Sequence, residues 1–331
     1  MKIQKNYVNI IKVIFAVAVL LIPFYITNTY ALKIICNVML YSIIALSVNL
    51  IVGFCGQLDF GRAAFAGLGA YFSAVTFNRL GLPFIVCFLG GAIFAALIGC
   101  LLGILCRYTS FDYLTLITIG FSEICRKFFI NWRPITNGAF GLSTKRPSFF
   151  GVTLASHQSM FYFSLILLIL CYIVIRRITR SKVGRAFKAI RDDSIAASYA
   201  GIDVPNYKVL CFVIGSFFTG LAGAAMVHYT MFTAPTNYTL DESIIMLQMA
   251  ILGGLGSLPG SIVGAAILII APEISRSFYN YRLLFMGIMM VVLMLFAPKG
   301  IMGDGGLKDQ LVAFVKKNWS KRARKGEHAG V

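Results

Sequence analysis

The chain has 331 residues, 59% of them hydrophobic and 13% charged, with a formal net charge of +18 and a mean hydropathy of +0.83. A soluble domain usually carries about a quarter charged residues to cover its surface, so this composition excludes an ordinary water-soluble globule. It also argues against nucleic-acid binding, because a soluble basic stripe needs a hydrophilic frame that is missing here.

A bilayer core of roughly 30 Å takes about 20 apolar residues in a helix. Ile10–Ile26 is the first such segment. Its flank of Lys2, Lys5 and Lys12 resembles a signal peptide, but the apolar spans that follow at once favour an anchor. Next come Ala31–Val52, Phe60–Phe77, Pro83–Cys106, Phe111–Phe129, Met160–Ile175 and Tyr207–Met231. Ser243–Leu252, Leu258–Ala271 and Tyr281–Ala297 complete the series. Ser243–Leu252 and Leu258–Ala271 are short for a crossing, and read as two tilted helices or one broken hairpin. The expected fold is an all-α polytopic transmembrane bundle of about 8–10 spans.

Lysine and arginine asymmetry sets the orientation. Arg176, Arg177, Arg180, Lys182, Arg185, Lys188, Arg191 and Lys208 crowd one loop, and Lys299, Lys308, Lys316, Lys317, Lys321, Arg322, Arg324 and Lys325 crowd the tail. Both clusters fall on the cytoplasmic side if both termini are cytoplasmic. That divides the chain into a membrane domain over residues 1–303, with a cytoplasmic loop at about 179–207, and a basic tail over 304–331. The tail reads as a topology anchor near anionic membrane lipid.

Motifs for catalysis are missing: the sequence has no G-x-x-x-x-G-K-[ST], no H-E-x-x-H and no G-x-S-x-G. His157, His228 and His328 are scattered, and the eight cysteines lack metal-ligand spacing, so no metal site is expected and cysteine acts as a small apolar residue. Glycines cluster at Gly53, Gly56, Gly61, Gly67 and Gly69, and again at Gly253, Gly254, Gly256, Gly260 and Gly264. Such runs either let helices approach closely or mark broken helices lining a pathway. Gln57, Asp59 and Arg62 place an amide, a carboxylate and a guanidinium beside the first run. Asn49, Thr115, Thr118, Ser122, Glu123 and Gln248 are polar groups inside apolar segments. Glu123 precedes Arg126 by three residues, which favours an ion pair within one helix over a role as solute ligand.

The loop reads as two short helices. Phe187 and Ile190 share the apolar face of the first, with Arg185, Lys188 and Arg191 elsewhere. Asp192 or Asp193 can cap the second, and Gly201 suits the position after its end. So short a helix needs a surface to dock on, either a soluble partner or the chain's own helices.

Taken together these stretches resemble the LivM-type permease subunit of branched-chain amino acid ABC importers. The resemblance rests on Ala45–Gly61, Phe65–Tyr71, Tyr113–Gly120, Thr136–Leu142, Gly184–Gly201, Gly253–Gly260 and Pro298–Ile301, and covers roughly residues 30–303. It implies a multi-pass subunit of the bacterial inner membrane with no catalytic site of its own. Its partners would be a second, LivH-like permease, two cytoplasmic ATPase subunits that use ATP and Mg, and a periplasmic solute-binding protein. Gly184, Arg185, Phe187, Arg191, Asp192, Asp193, Ile195, Ala196, Ala197 and Gly201 would form the loop that couples to an ATPase. Ile195 stands where the importer loop usually has Glu, and Asp59 where a small hydroxyl residue is more frequent. Asn49, Gly53, Gln57, Asp59, Gly61, Thr115, Thr118, Gln248, Gly253, Gly254, Gly256 and Gly260 are the pathway and helix-break candidates. Urea or short-chain amide uptake is the alternative within this class. A gradient-driven secondary transporter or channel is the alternative outside it, and would require a membrane-embedded ion relay.

Overall fold

Thr29–Val48 forms helix α1, and at Asn49 the winding widens into a π-helical stretch, Asn49–Phe54. This computed structural model describes residues 23, 29–109, 111–145, 147–149, 152–153, 157–274, 287–288, 291, 295 and 300–303. The expected spans Ile10–Ile26 and Tyr281–Ala297 lie almost wholly outside the described residues, as does the basic tail.

After an extended segment at 56–61, the chain forms α2 (Arg62–Leu80), α3 (Phe84–Cys106) and α4 (Phe111–Asn131). Short elements follow: α5 (Arg133–Thr136), then the strands β1 (Leu142–Ser143), β2 (Ser148–Phe149) and β3 (Val152–Thr153). Helix α6 (His157–Arg180) leads to α7 (Lys182–Asp192) and α8 (Ser194–Tyr199), then to the long α9 (Val204–Thr230). Strand β4 (Phe232–Thr233) pairs antiparallel with β1, Leu142 opposite Thr233. The hairpin α10 (Leu240–Gly253) and α11 (Leu258–Ile274) completes the described helices.

Local chemistry explains several boundaries. Asp203 accepts a hydrogen bond from the Asn206 backbone N–H at 3.3 Å, and Pro205 stands in the first turn of α9 where its missing N–H is not needed. Thr239 caps α10 by accepting from the Glu242 N–H at 3.4 Å, with Asp241 and Glu242 at the positive end of the helix dipole.

The bundle is built around α9, which packs along α3 and α2, while α1 packs against α11, α6 and α9. Small residues set these crossings. A Cβ on Gly69 of α2 would run into the Gly220 backbone of α9, one on Gly91 of α3 into the Gly69 carbonyl, and one on Gly223 of α9 into the Ala66 backbone. Gly67 and Gly69 are therefore packing glycines, the first of the two readings open for them.

The outside of the bundle is apolar. Val86, Leu89, Ile93, Leu97 and Leu101 stand exposed along one face of α3, and Ile166, Ile169, Leu170 and Ile173 along α6. Contiguous apolar stripes of this size suit lipid rather than water. Among the described residues, four helical stretches are long and apolar enough to cross a membrane: Thr29–Phe54, Phe84–Cys106, Gln158–Arg180 and Val204–Thr230. Helix α10, of 14 residues, rises only about 21 Å. It packs against α11 across the turn at 254–257. All eight cysteines are free, seven of them buried.

Candidate coupling and helix-break site

Helix α6 turns sharply into α7 at Ser181, and the corner requires Gly184, where a Cβ would collide with the Thr179 backbone. Gly184, Ala186, Phe187 and Ile190 form the buried face of α7. The Phe187 ring is wholly buried and meets Tyr207 edge-on, centroids 6.2 Å apart. Arg185 and Lys188 stand exposed on the other face. The Lys188 ammonium lies 5.6 Å from the Phe54 ring centre.

Asp193, rather than Asp192, caps α8: one carboxylate oxygen accepts from the Ile195 and Ala196 N–H groups at 2.8 and 3.0 Å. At the far end Gly201 takes φ +84° and the Ile202 N–H reaches back to the Ala197 carbonyl at 3.1 Å, a Schellman closure. Ala197 is the buried contact of α8, whereas Ile195 and Tyr199 are 68% and 89% exposed. Four residues apart, those two share one face. The two docking surfaces open for this loop are thus divided: α7 lies on the chain's own helices and α8 presents an uncovered apolar pair.

Arg191 joins this loop to the glycine breaks. Its Nη1 donates to the Gly53 carbonyl at 2.8 Å, while Nε and Nη2 donate to Asp192 at 3.1 and 3.0 Å. Gly56 and Gly256 flank the same side chain: a Cβ on Gly56 would stand 2.9 Å from Arg191 Cγ, and one on Gly256, which has φ +80°, 3.4 Å from Nη1. Two glycine runs some 200 positions apart and the loop between them therefore meet at one point.

Asn49 holds that point together. Its Nδ2 donates to the Ser257 carbonyl at 2.9 Å, the Ser261 hydroxyl at 2.6 Å and the Gly254 carbonyl at 3.4 Å, and its Oδ1 accepts from the Gly256 N–H at 2.8 Å. Every polar atom of this wholly buried amide is satisfied. A Cβ on Gly53 would strike both Asn49 Oδ1 and the Gly256 nitrogen, so the π-helical stretch and the α10–α11 turn make contact only because Gly53 has no side chain. Within the hairpin, Gly253 and Gly260 touch backbone to backbone.

The segment at 56–61 runs into the bundle, with Gln57, Asp59 and Gly61 buried. Gly56 lies against Arg191, yet Asp59 and Arg62 are fully buried and form an ion pair. The Arg62 guanidinium lies 4.6 and 5.4 Å from the ring centres of Phe65 and Phe212. Asp59 Oδ1 accepts from the Gly61 N–H at 2.7 Å, Thr118 from Phe60 N–H at 3.2 Å, and Ser243 from Ala63 N–H at 3.0 Å. Side chains thus satisfy backbone donors at the start of α2, which begins inside the bundle. Gln57, within this segment, is buried as well.

The remaining candidates separate. Thr118 also donates to the Thr115 carbonyl at 2.9 Å and serves the start of α2, not the Asn49 cluster. Gln248 is half-buried on α10 and joins neither network among the described residues. Glu123 pairs with Arg126 at 3.0 Å within α4. Ser257 and Ser261 belong to the Asn49 cluster although sequence reasoning did not single them out; their spacing of four inside a glycine-rich run was the available signal. Among the described residues no three His, Cys, Asp or Glu side chains gather.

No solved structure matches this chain. The permease protein LivM of the high-affinity branched-chain amino acid transport system of Escherichia coli (strain K12) is 32% identical over 288 residues, covering 80% of this chain and 68% of that protein. LivH of the same strain and system is 25% identical over 284 residues, 80% of this chain and 91% of LivH. A probable branched-chain amino acid transport permease protein LivM from Methanocaldococcus jannaschii is 22% identical over 316 residues. Residues 30–294 match the family described as branched-chain amino acid transport system / permease component. The chain is a multi-pass membrane protein that belongs to that permease family.

Proposed function

We propose that this chain is the membrane-spanning permease subunit of an ATP-driven importer of branched-chain amino acids, paired with a LivH-like permease. The names carried by its relatives support the substrate class. Of two ATPase subunits using ATP and Mg, one would dock on the α7–α8 loop, and a periplasmic binding protein would deliver solute from the other side. The proposed arrangement is eight to ten spans in the inner membrane with both termini cytoplasmic, residues 1–303 forming the permease domain and 304–331 the tail. The chain itself hydrolyses nothing.

One observation carries the mechanism: Arg191, on the loop, bonds the Gly53 carbonyl at the point where Asn49 pins the π-helical stretch to the α10–α11 turn. A partner gripping Ile195 and Tyr199 on α8 could pull on α7, and Arg191 would carry that displacement to both helix breaks. Alternating access then requires that nucleotide bind the two arrangements with different affinity. The Gly53, Gly56, Asp59 and Gly256 breaks would border the pathway.

The test is uptake of labelled leucine, valine and urea by proteoliposomes holding the complete complex, with and without enclosed ATP. Leucine or valine accumulation that depends on ATP is the expected result. Accumulation by this chain alone, or driven by an ion gradient, would overturn the proposal.

A further inference from the structure

Helix α6 changes character along one face. Ile166, Ile169, Leu170 and Ile173 stand 64, 50, 54 and 49% exposed, and the same face continues into Arg176 and Arg180. From Ile166 to Arg176 is about 15 Å of helix, half of a bilayer's roughly 30 Å hydrocarbon core. Where the apolar stripe ends, a cavity of about 320 Å³ opens, walled by Phe54, Arg176, Arg180, Lys188 and the first residues of α11. The ion pairs among the described residues are Arg62–Asp59, Arg126–Glu123 and Arg191–Asp192, and none uses these three cations. The start of α11 adds the positive end of its dipole to the same wall.

We propose that this cavity holds the phosphate of an anionic phospholipid from the cytoplasmic leaflet, its acyl chains lying along the exposed stripe of α6. Three cations without an ion-pair partner among the described residues supply the charge complement at headgroup depth. The apolar stripe that runs unbroken into them selects an amphiphile over a free anion, and a soluble subunit cannot cover residues at hydrocarbon depth. The cavity shares Gly256 with the Arg191 contact, so a bound headgroup would brace α6, α7 and α11 beside the helix breaks. The inference rests on the proposed orientation, with the α7–α8 loop cytoplasmic.

The test is native mass spectrometry of the full chain titrated with phosphatidylglycerol, phosphatidylcholine or inorganic phosphate. Phosphatidylglycerol should bind at least tenfold more tightly than phosphatidylcholine. Arg176→Gln, Arg180→Gln and Lys188→Gln should each weaken it by about fivefold, and the triple variant should lose the preference, while Lys127→Gln on α4 leaves it intact. An unchanged preference in the triple variant would overturn the proposal. So would inorganic phosphate occupying the site as well as the lipid does, or ATPase subunits displacing the lipid. In parallel, Ser194→Cys is labelled with an impermeant maleimide in inside-out vesicles. Cytoplasmic labelling without a lipid preference removes the lipid site alone; periplasmic labelling removes the orientation, and the proposed function with it.

Discussion

Arg191 and Gly53 are 138 positions apart in sequence, and a 2.8 Å hydrogen bond from the guanidinium to the backbone carbonyl connects them. The bond ties a surface helix to the interior break of α1. Losing it should uncouple the two without unfolding either, because Arg191 is itself exposed. Arg191→Gln should therefore leave ATPase co-purification intact while lowering ATP-driven uptake about tenfold, in line with a charged hydrogen bond worth about 1.5–3 kcal/mol. Uptake at the normal rate would dismiss Arg191 as a link.

Ile195 and Tyr199 make the opposite prediction. Both are exposed, so Ile195→Asp should not destabilise the permease, but it places a carboxylate in the proposed contact. ATPase association should be lost on affinity purification, with the thermal midpoint unchanged. Gly201→Pro should give the same loss by another route, since proline cannot adopt φ +84°. Retention of the ATPase by both variants would count against α8 as the docking element.

Asn49→Leu should cost about 2–4 kcal/mol, because it leaves the Gly256 N–H and the Ser257 carbonyl without their buried partner. The readout is a lower unfolding temperature in detergent.

Gly256→Leu should insert and fold yet transport poorly, since φ +80° and the nearby Arg191 strain any side chain there. Gly120→Ala on α4 is the control, having nothing within 4 Å of the added methyl. Membrane-fraction yield and leucine uptake separate the two effects.

The buried Asp59–Arg62 pair predicts non-additivity. Asp59→Asn should destabilise by about 3–5 kcal/mol by leaving a buried guanidinium uncompensated. The double variant Asp59→Leu/Arg62→Met should lose less than that single change. A double-mutant cycle in detergent checks it, and strict additivity would mean that the two do not interact.

Much of this was legible in the sequence. Hydropathy located the described helices to within about five residues, because lipid asks only for apolar length. A cap at Asp192 or Asp193 and a stop at Gly201 followed from local rules, since each acts on a neighbour a few positions away, and the structure assigns the cap to Asp193. Asn49 was conspicuous as an amide inside an apolar run. Its partners were not, because nothing near Asn49 specifies a turn beginning at Gly254. Nor could the first glycine run be sorted from its letters alone. Gly53 serves contact between two broken segments, whereas Gly69 serves a crossing of two continuous helices, and only the α10–α11 turn and α9 standing opposite them make the difference. Ser261 escaped notice because a helical hydroxyl usually bonds its own preceding turn, and Ser257 because it contributes only its backbone carbonyl.

Residues 300–303 return to this same place. The Ile301 and Met302 N–H groups donate to the Leu252 and Gly253 carbonyls at 3.0 Å each, a two-rung ladder laid across the end of α10. Residues 300–303 are therefore tethered to the end of α10, next to the turn that Asn49 holds. A fluorophore attached there would act as a proximity gauge, its energy transfer to a label on α8 following each stroke of the transport cycle.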